Sequence, residues 1–325
     1  MRTRLPALLG AVLLGVVAGC SGPDLTRAHF PRTTVTAAPG DGGQGEVPTG
    51  PITDPAVSAA ALRTVDPCAL LGGDTAGVLG EAGTPEPGDW GVCTVEVRDA
   101  GGKPVGLRLD LGESLVLADR ATGGIEGLPL VENEVDEGSC FVTAVTSRDP
   151  SLGITVQVDY EAGDPCAAGY SVLRQVLAGL RGDPGTYPPE PGSLLGVDPC
   201  ATVTDDVLAE VLPGEVRKRP MGLHQCRFAG HRPSAVVWFR TGYPPDADAG
   251  TPVDLGGGVR AVRQRGQTDT VECDISWQHR SSGEGPEGEN VTASFTFASE
   301  EGSVDDACAR ALAVARDVVR RLPSS

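Results

Sequence analysis

Aromatic residues are scarce in this chain: 3 Trp, 4 Tyr and 6 Phe among 325 residues. A core built on large rings is therefore not expected, and burial has to rest on Val, Leu and Ala with help from disulfides. Positive charge is also scarce, with 26 Lys+Arg against 44 Asp+Glu and a net charge of -18. That balance excludes the basic stripe that nucleic-acid binding requires, and a broad electrostatic surface for anionic lipid. No apolar run reaches the roughly 20 residues of a membrane-spanning helix. Only 4 His are present, and GxSxG, SxxK, HExxH and CxxC are all missing. The usual signatures of hydrolases, zinc proteases and dithiol redox proteins are thereby removed. The expectation is a non-enzyme with no catalytic residues, no cofactor and no metal.

The N-terminus reads as an export signal, residues 1–19. Arg2 and Arg4 form a positive start, LPALLGAVLLGVV at 5–17 a short apolar stretch, and Val17-Ala18-Gly19-Cys20 a lipobox-like end. Cys20 is then the lipidation site, and acyl chains on it hold the protein on the outer face of the cytoplasmic membrane. Residues 20–60, rich in Gly, Pro, Thr and Asp, read as the lipidated Cys and a disordered tether, with ordered structure starting somewhere in AVSAAALRTV at 56–65.

Eight further cysteines follow: Cys68, Cys93, Cys140, Cys166, Cys200, Cys226, Cys273 and Cys308. Taken four apart they are separated by 132, 133, 133 and 142 residues. VDPCA occurs at 65–69 and again at 197–201, and DPCA recurs at 164–167. This is a tandem duplication. Copy one spans 61–182 and copy two 196–325, joined by a Pro/Gly-rich linker at 183–195. The polar segment SSGEGPEGEN at 281–290 accounts for the extra length late in copy two. In an exported chain, four Cys per copy imply two disulfides per copy, with three possible pairings.

The DPC segments read as helix starts, with Asp as N-cap and Pro in the first turn. Cys166, Tyr170, Leu173, Leu177 and Leu180 recur at helical spacing, as do Cys308, Leu312, Ala315, Val319 and Leu322. Weaker helices follow Cys68 and Cys200, over 68–80 and 200–212. Alternation marks strands at 107–111, 154–160, 271–277 and 291–297, and Cys93 shares a face with Val95 and Val97. The expected fold is α+β in two tandem copies. Each is an antiparallel sheet of about four to five strands packed by two helices and stapled by two disulfides. The favoured pairing ties each helix Cys to the nearest strand Cys: Cys68–Cys93, Cys140–Cys166, Cys200–Cys226 and Cys273–Cys308. Each bond should stabilise by roughly 3–4 kcal/mol.

Candidate chemistry is thin. A thiolate at a helix N-terminus can be reactive, but an even, repeated set of exported cysteines argues for disulfides. His224, Cys226 and His231 could suggest a metal, yet copy one has no His around Cys93. These histidines are expected on the surface of a hairpin, with His29 in the tether and His279 near the polar insertion. Glu132, Glu134, Asp136 and Glu137 read as a solvated acidic loop, and the matching stretch of copy two carries Arg260, Arg263 and Arg265. Gly256-Gly257-Gly258 and Gly123-Gly124 hold matching places and read as turns before strands. Residues 64–182 hold 19 acidic and 7 basic residues, whereas 196–323 hold 19 and 14. The copies have diverged in surface, either to face each other or to meet different partners.

The lipobox, the tether and domains opening DPCALL and DPCATV, each with a second Cys about 25 residues on (Cys93, Cys226), resemble the actinobacterial lipoprotein family carrying domain of unknown function 3558. The type is also similar to the external sensor domains of mycobacterial serine/threonine kinases. The resemblance implies an exported ligand-sensing or interaction module and brings no catalytic residues. The tandem arrangement and Asp306-Ala307 in place of Asp-Pro depart from it. The expected function is that of a non-catalytic envelope lipoprotein that binds or senses a small ligand, an envelope polymer or a protein partner. The alternative is a structural or accessory envelope protein working through protein contacts alone.

Overall fold

The computed structural model describes residues 45–114, 118–229, 233–267, 270–283, 285–298 and 302–324. The signal segment, Cys20, His29 and the tether up to residue 44 lie outside these residues. The described residues belong to one compact unit. Among the described residues no helix is long and apolar enough to cross a membrane.

The fold is α+β, with two antiparallel sheets. In copy one the helices are α1 (Ala59–Leu62), α2 (Pro67–Leu71), α3 (Asp74–Gly77) and α4 (Pro165–Arg181). Its strands are β1 (Glu81–Ala82), β2 (Glu86–Pro87), β3 (Val92–Arg98), β4 (Pro104–Ser114), β5 (Gly123–Ile125), β6 (Leu128–Asp136), β7 (Ser139–Arg148) and β8 (Ser151–Asp159). Copy two has α5 (Asp205–Val211) and α6 (Val304–Arg321). Its strands are β9 (Arg217–Pro220), β10 (Gln225–Ala229), β11 (Ser234–Gly242), β12 (Thr251–Gly256), β13 (Val259–Gln267), β14 (Thr270–Ser281) and β15 (Gly288–Ala298). The sheets run β5-β6-β7-β8-β4-β3-β1, with β2 also on β3, and β12-β13-β14-β15-β11-β10-β9. The two strand orders coincide. Even a hydroxyl pair recurs: Thr143–Thr155 at 2.8 Å in copy one and Ser276–Thr292 at 3.0 Å in copy two.

The sheets are larger than the four or five strands expected. The additional strands include the hairpins β5–β6 and β12–β13, which form one edge of each sheet. β6 begins on the buried Leu128-Pro129-Leu130 and is exposed from Asn133 on, Val135 included, so it carries no alternating apolar signal. The acidic loop is thus a strand running into a turn, and its arginine-bearing counterpart is β13. Gly256-Gly257-Gly258, all at positive φ, make the β12–β13 turn. In copy one that turn is Glu126-Gly127, and Gly123-Gly124 lie in β5 instead.

The cysteines pair as favoured, with S–S distances of 1.98 Å (Cys68–Cys93), 2.01 Å (Cys140–Cys166), 2.02 Å (Cys200–Cys226) and 2.03 Å (Cys273–Cys308). Each joins a helical turn to a strand whose Cys is buried with the core. Where Asp-Pro is present, Asp caps and Pro starts the helix. Asp66 Oδ1 accepts from the Cys68 N–H, Asp164 from Ala167 and Asp198 from Cys200. At the fourth site the cap is Ser303, and α6 begins before Asp306. Proline keeps the residue before it out of the helical region and so defines the start. Ala307 does not, and the helix extends back to the first good cap. The helices after Cys68 and Cys200 are shorter than expected. Gly72-Gly73 splits the first into α2 and α3, and the second is a 3-10 turn at Pro199–Ala201 followed by α5, capped by Thr204.

Two cores form, one per sheet. That of copy one is aliphatic, as expected. That of copy two is not: Phe228, Phe239, Phe295 and Trp277 are almost wholly buried. The few rings of this chain are concentrated where the composition argument, averaged over both copies, missed them.

The described part of the tether is fastened as well. Asp54 pairs with Arg181 at 2.9 Å, Val57 is buried, and the Arg148 guanidinium donates to the Pro48 carbonyl. The boundary at residue 60 is therefore too late. The linker is held at both ends. Tyr187 N–H donates to Thr64 O at 3.0 Å in copy one. In copy two the buried Glu289 carboxylate accepts from Ser193 Oγ and Leu194 N, both at 2.6 Å.

Candidate functional site

The copies meet through a reciprocal exchange of equivalent residues. Trp90 lies three residues before Cys93, and Leu223 three before Cys226. The following residues occupy matching places in their sheets: Gly91 O accepts from Leu111 N, and His224 O accepts from Phe239 N, both at 2.9 Å. Leu223 packs in the core of copy one, and Trp90 against the core of copy two. Two-fold dimers are built from such self-complementary exchanges; here one chain carries both halves.

Polar contacts set the geometry of this junction. Asp89 Oδ1 accepts from Thr241 N at 2.9 Å, from Thr241 Oγ1 at 3.0 Å and from its own neighbour Trp90 N at 2.8 Å. Arg63, almost buried, donates from Nε to Leu223 O at 2.9 Å and pairs through Nη2 with Asp198 at 3.1 Å. The N-cap of the second VDPCA motif therefore also receives a cation from copy one. Gly112 admits Leu223: a Cβ there would stand 2.3 Å from Leu223 Cγ.

Beside the junction opens a cleft of about 340 Å³, lined by Trp90, Asp110 and Glu113 from copy one and by Met221, His224 and Trp238 from copy two. Asp110 sits at a break in the β4–β8 register, where Gly112 N–H donates to it at 3.0 Å. His224 has only 6% of its surface exposed, and neither ring nitrogen has a hydrogen-bond partner. Its ring stacks at a tilt against Trp90, 4.9 Å between centroids. Burial, assisted by Arg63, lowers its pKa to about 3, so the imidazole is neutral. Burial raises the Asp110 pKa, with the nearby Glu113 and Asp89 carboxylates adding to it. On the other side of Trp90 lies a second cavity of about 480 Å³, reaching Tyr187, Arg280 and Glu289. The Tyr187 hydroxyl is pushed up to about 12, chiefly by burial.

His224 is thus no surface histidine. The Trp90 ring and copy one cover it. Its neighbour in the suggested metal cluster, Cys226, is bonded to Cys200, and His231 lies outside the described residues. His279 is half-buried, with Nε2 at 3.0 Å from Gly192 O. Glu132, Glu134 and Glu137 line a shallow groove beside Cys166 and Asp164, and burial together with Asp164 raises the Glu132 pKa. Arg265 pairs with Asp305 at 2.7 Å. Among the described residues no three His, Cys, Asp or Glu side chains are spaced to hold a metal. Sequence reasoning missed Arg63, Asp89, Trp90 and Leu223. The available signal was the alignment of the copies, which sets Trp90 opposite Leu223 just ahead of equivalent cysteines.

Comparisons with protein-family models, with curated proteins and with solved structures find no match.

Proposed function

We propose that this chain is a non-catalytic cell-envelope lipoprotein, anchored through Cys20 outside the cytoplasmic membrane, that binds or senses a ligand in the cleft between its two copies. It is read as a tandem member of the lipoprotein family that its DPC helix starts resemble. One observation carries the reading: a concave site built by both copies contains an almost buried imidazole with two unsatisfied nitrogens. A buried polar group without a partner costs roughly 1–3 kcal/mol, and a ligand that completes its hydrogen bonds recovers that cost. The shared cleft also gives a sensor its output, because occupancy bears on the junction that sets the copies against each other.

The test uses the full chain purified in detergent and incubated with the small-molecule fraction of the envelope of the producing cell. Washed protein is denatured and the released compounds are identified by mass spectrometry. A compound should be retained by the wild type and lost by Ser114→Trp, which places a ring in the cleft. Retention of protein partners alone, with no small molecule, would overturn the reading in favour of a structural or accessory role. Cys20→Ala should move the protein from the membrane to the soluble fraction.

A further inference from the structure

The cleft has a pronounced chemical bias. Its ionisable lining consists of Asp89, Asp110, Glu113 and His224, with no Lys or Arg. The Asp89 Oδ1 atom is committed to Thr241 and Trp90 N–H. Asp110 has one oxygen on Gly112 N–H, and the other forms a loose ion pair with Arg108 at 3.7 Å, beyond hydrogen-bond distance. Trp90, Trp238 and Met221 add aromatic and soft surface, beside the polar Ser114 and Gln225. Arg240 stacks over Trp238, 5.1 Å from the ring centroid, so the rings of this region already accept a cation. An inorganic ion is the poorer fit. No cluster with metal-ligand spacing exists among the described residues, and about 340 Å³ is far more room than one ion fills.

We infer that the cleft takes a small organic ammonium ion, its charge held by Asp110 and Glu113, its alkyl part against Trp90, and one N–H donated to His224. This rests on the reading of the cleft as a ligand site and names the ligand class. Carboxylates supply charge neutralisation, and an aromatic face suits a poorly hydrated alkylammonium better than a metal ion. The imidazole completes the shell as an acceptor, which Gly91, its counterpart in copy one, cannot do.

The test titrates the full-length protein in detergent with 3,3-dimethylbutylamine, putrescine and spermidine, and with matched uncharged and anionic compounds: 3,3-dimethylbutanol, butanediol and succinate. Binding is read by calorimetry and by tryptophan emission, since two of the three Trp residues line the cleft. An ammonium probe should bind at least tenfold tighter than its uncharged match, and tightest at low salt. Asp110→Asn with Glu113→Gln should weaken it at least tenfold without changing the melting temperature by more than a few degrees. His224→Leu removes an unpartnered buried polar group, so it should keep or raise the melting temperature while binding weakens. A purely structural histidine would leave binding unchanged. Equal or tighter binding of the uncharged or anionic compounds would overturn the ammonium assignment and leave the ligand site standing. Ammonium binding that survives the carboxylate variant would overturn the location. No binding by any of the six compounds would overturn the ammonium assignment, and the ligand-site reading then stands or falls on the compound recovered from the envelope.

Discussion

Where copy one places Val95, Leu111, Ala144 and Val158 in its core, copy two places Phe228, Phe239, Trp277 and Phe295 at the same sheet positions, all eight buried. The helix above changes in the opposite sense. Gly169 of α4 stands three residues after Cys166, and Ala311 of α6 three after Cys308. A Cβ on Gly169 would lie 2.6 Å from Val142 Cγ2 and 3.1 Å from Val158 Cγ2. In copy one the helix comes down onto a sheet of small side chains. In copy two large rings fill the layer, and the helix carries a methyl group at that point. Core volume is thus a joint property of sheet and helix, filled by different routes in the two copies. The strand order and the staples tolerate both.

The largest expected effects come from the staples, which the copies share. Removing Cys140–Cys166 or Cys273–Cys308 by paired Ala substitutions frees loops with separations of 26 and 35 residues. Loop entropy puts the losses at about 3.5 and about 4 kcal/mol. Hydrogen exchange followed by peptide mass spectrometry reads each copy separately. Near-equal losses are expected despite the different cores. A copy-one loss larger by more than about 1 kcal/mol would show that the aromatic core of copy two compensates for its staple, and the comparison would then rest on the cores instead.

The junction tests whether the copies are partners or neighbours. Leu223→Ala should cost about 2–4 kcal/mol, the range for a buried leucine. Its effect should appear in the wrong copy by sequence, as faster exchange in β4 of copy one, where Gly112 receives it. Trp90→Ala should cost somewhat less, being half-buried, and should loosen copy two. If each truncation disturbs only its own copy, the exchange of equivalent residues is not what couples them.

The third effect belongs to copy two alone, because copy one has Gly91 where copy two has His224. The folded His224 pKa lies near 3 and the unfolded value near 6.5. Between these values the unfolded chain binds a proton that the folded chain does not, so stability falls as pH drops through that window. The slope is about 1.4 kcal/mol per pH unit for one proton, so roughly 2 kcal/mol disappears between pH 6.5 and 5. His224→Leu should abolish that slope. Urea midpoints of wild type and variant at pH 7, 6 and 5 measure it, and parallel losses in both proteins would show that His224 is not the group responsible.

Much of this was legible in the sequence, for physical reasons that differ by element. The staples could be read because four cysteines recur at near-constant separation and Asp-Pro places Cys68, Cys166 and Cys200 at helix starts. The helices α4 and α6 could be read because one face is buried along their whole length. The hairpins β5–β6 and β12–β13 could not: β5 is three residues long, β6 passes from an unbroken apolar run at Leu128–Leu130 to exposed residues, and β12 holds only Val253 and Leu255 as an apolar pair, so none sustains the alternation that marks a half-buried strand. The junction was illegible for another reason. Trp90 and Leu223 are single apolar residues in turns, and nothing periodic flags them. A histidine two residues before a strand cysteine looks solvated until Trp90 is known to cover it.

The smallest effect is the most direct test of the opening comparison. Gly169→Ala adds one methyl group to a helix face already against Val142 and Val158. In an isolated helix the change would stabilise by about 1 kcal/mol, since Ala is the better helix former. Here the added atom meets branched side chains whose rotamers are restricted, and overpacking of this kind costs about 1–3 kcal/mol. The two contributions oppose each other, and a net loss of about 1 kcal/mol in the urea midpoint is expected. The reverse change, Ala311→Gly, loses the propensity and leaves a methyl-sized void among larger rings, so both contributions destabilise and about 1–2 kcal/mol should be lost. If copy one tightens its helix to the sheet because its side chains are small, Gly169→Ala combined with Val142→Ala should recover part of the first loss. A double variant worse than the sum of its parts would mean that α4 is held down by its disulfide and not by the shape of the sheet beneath it.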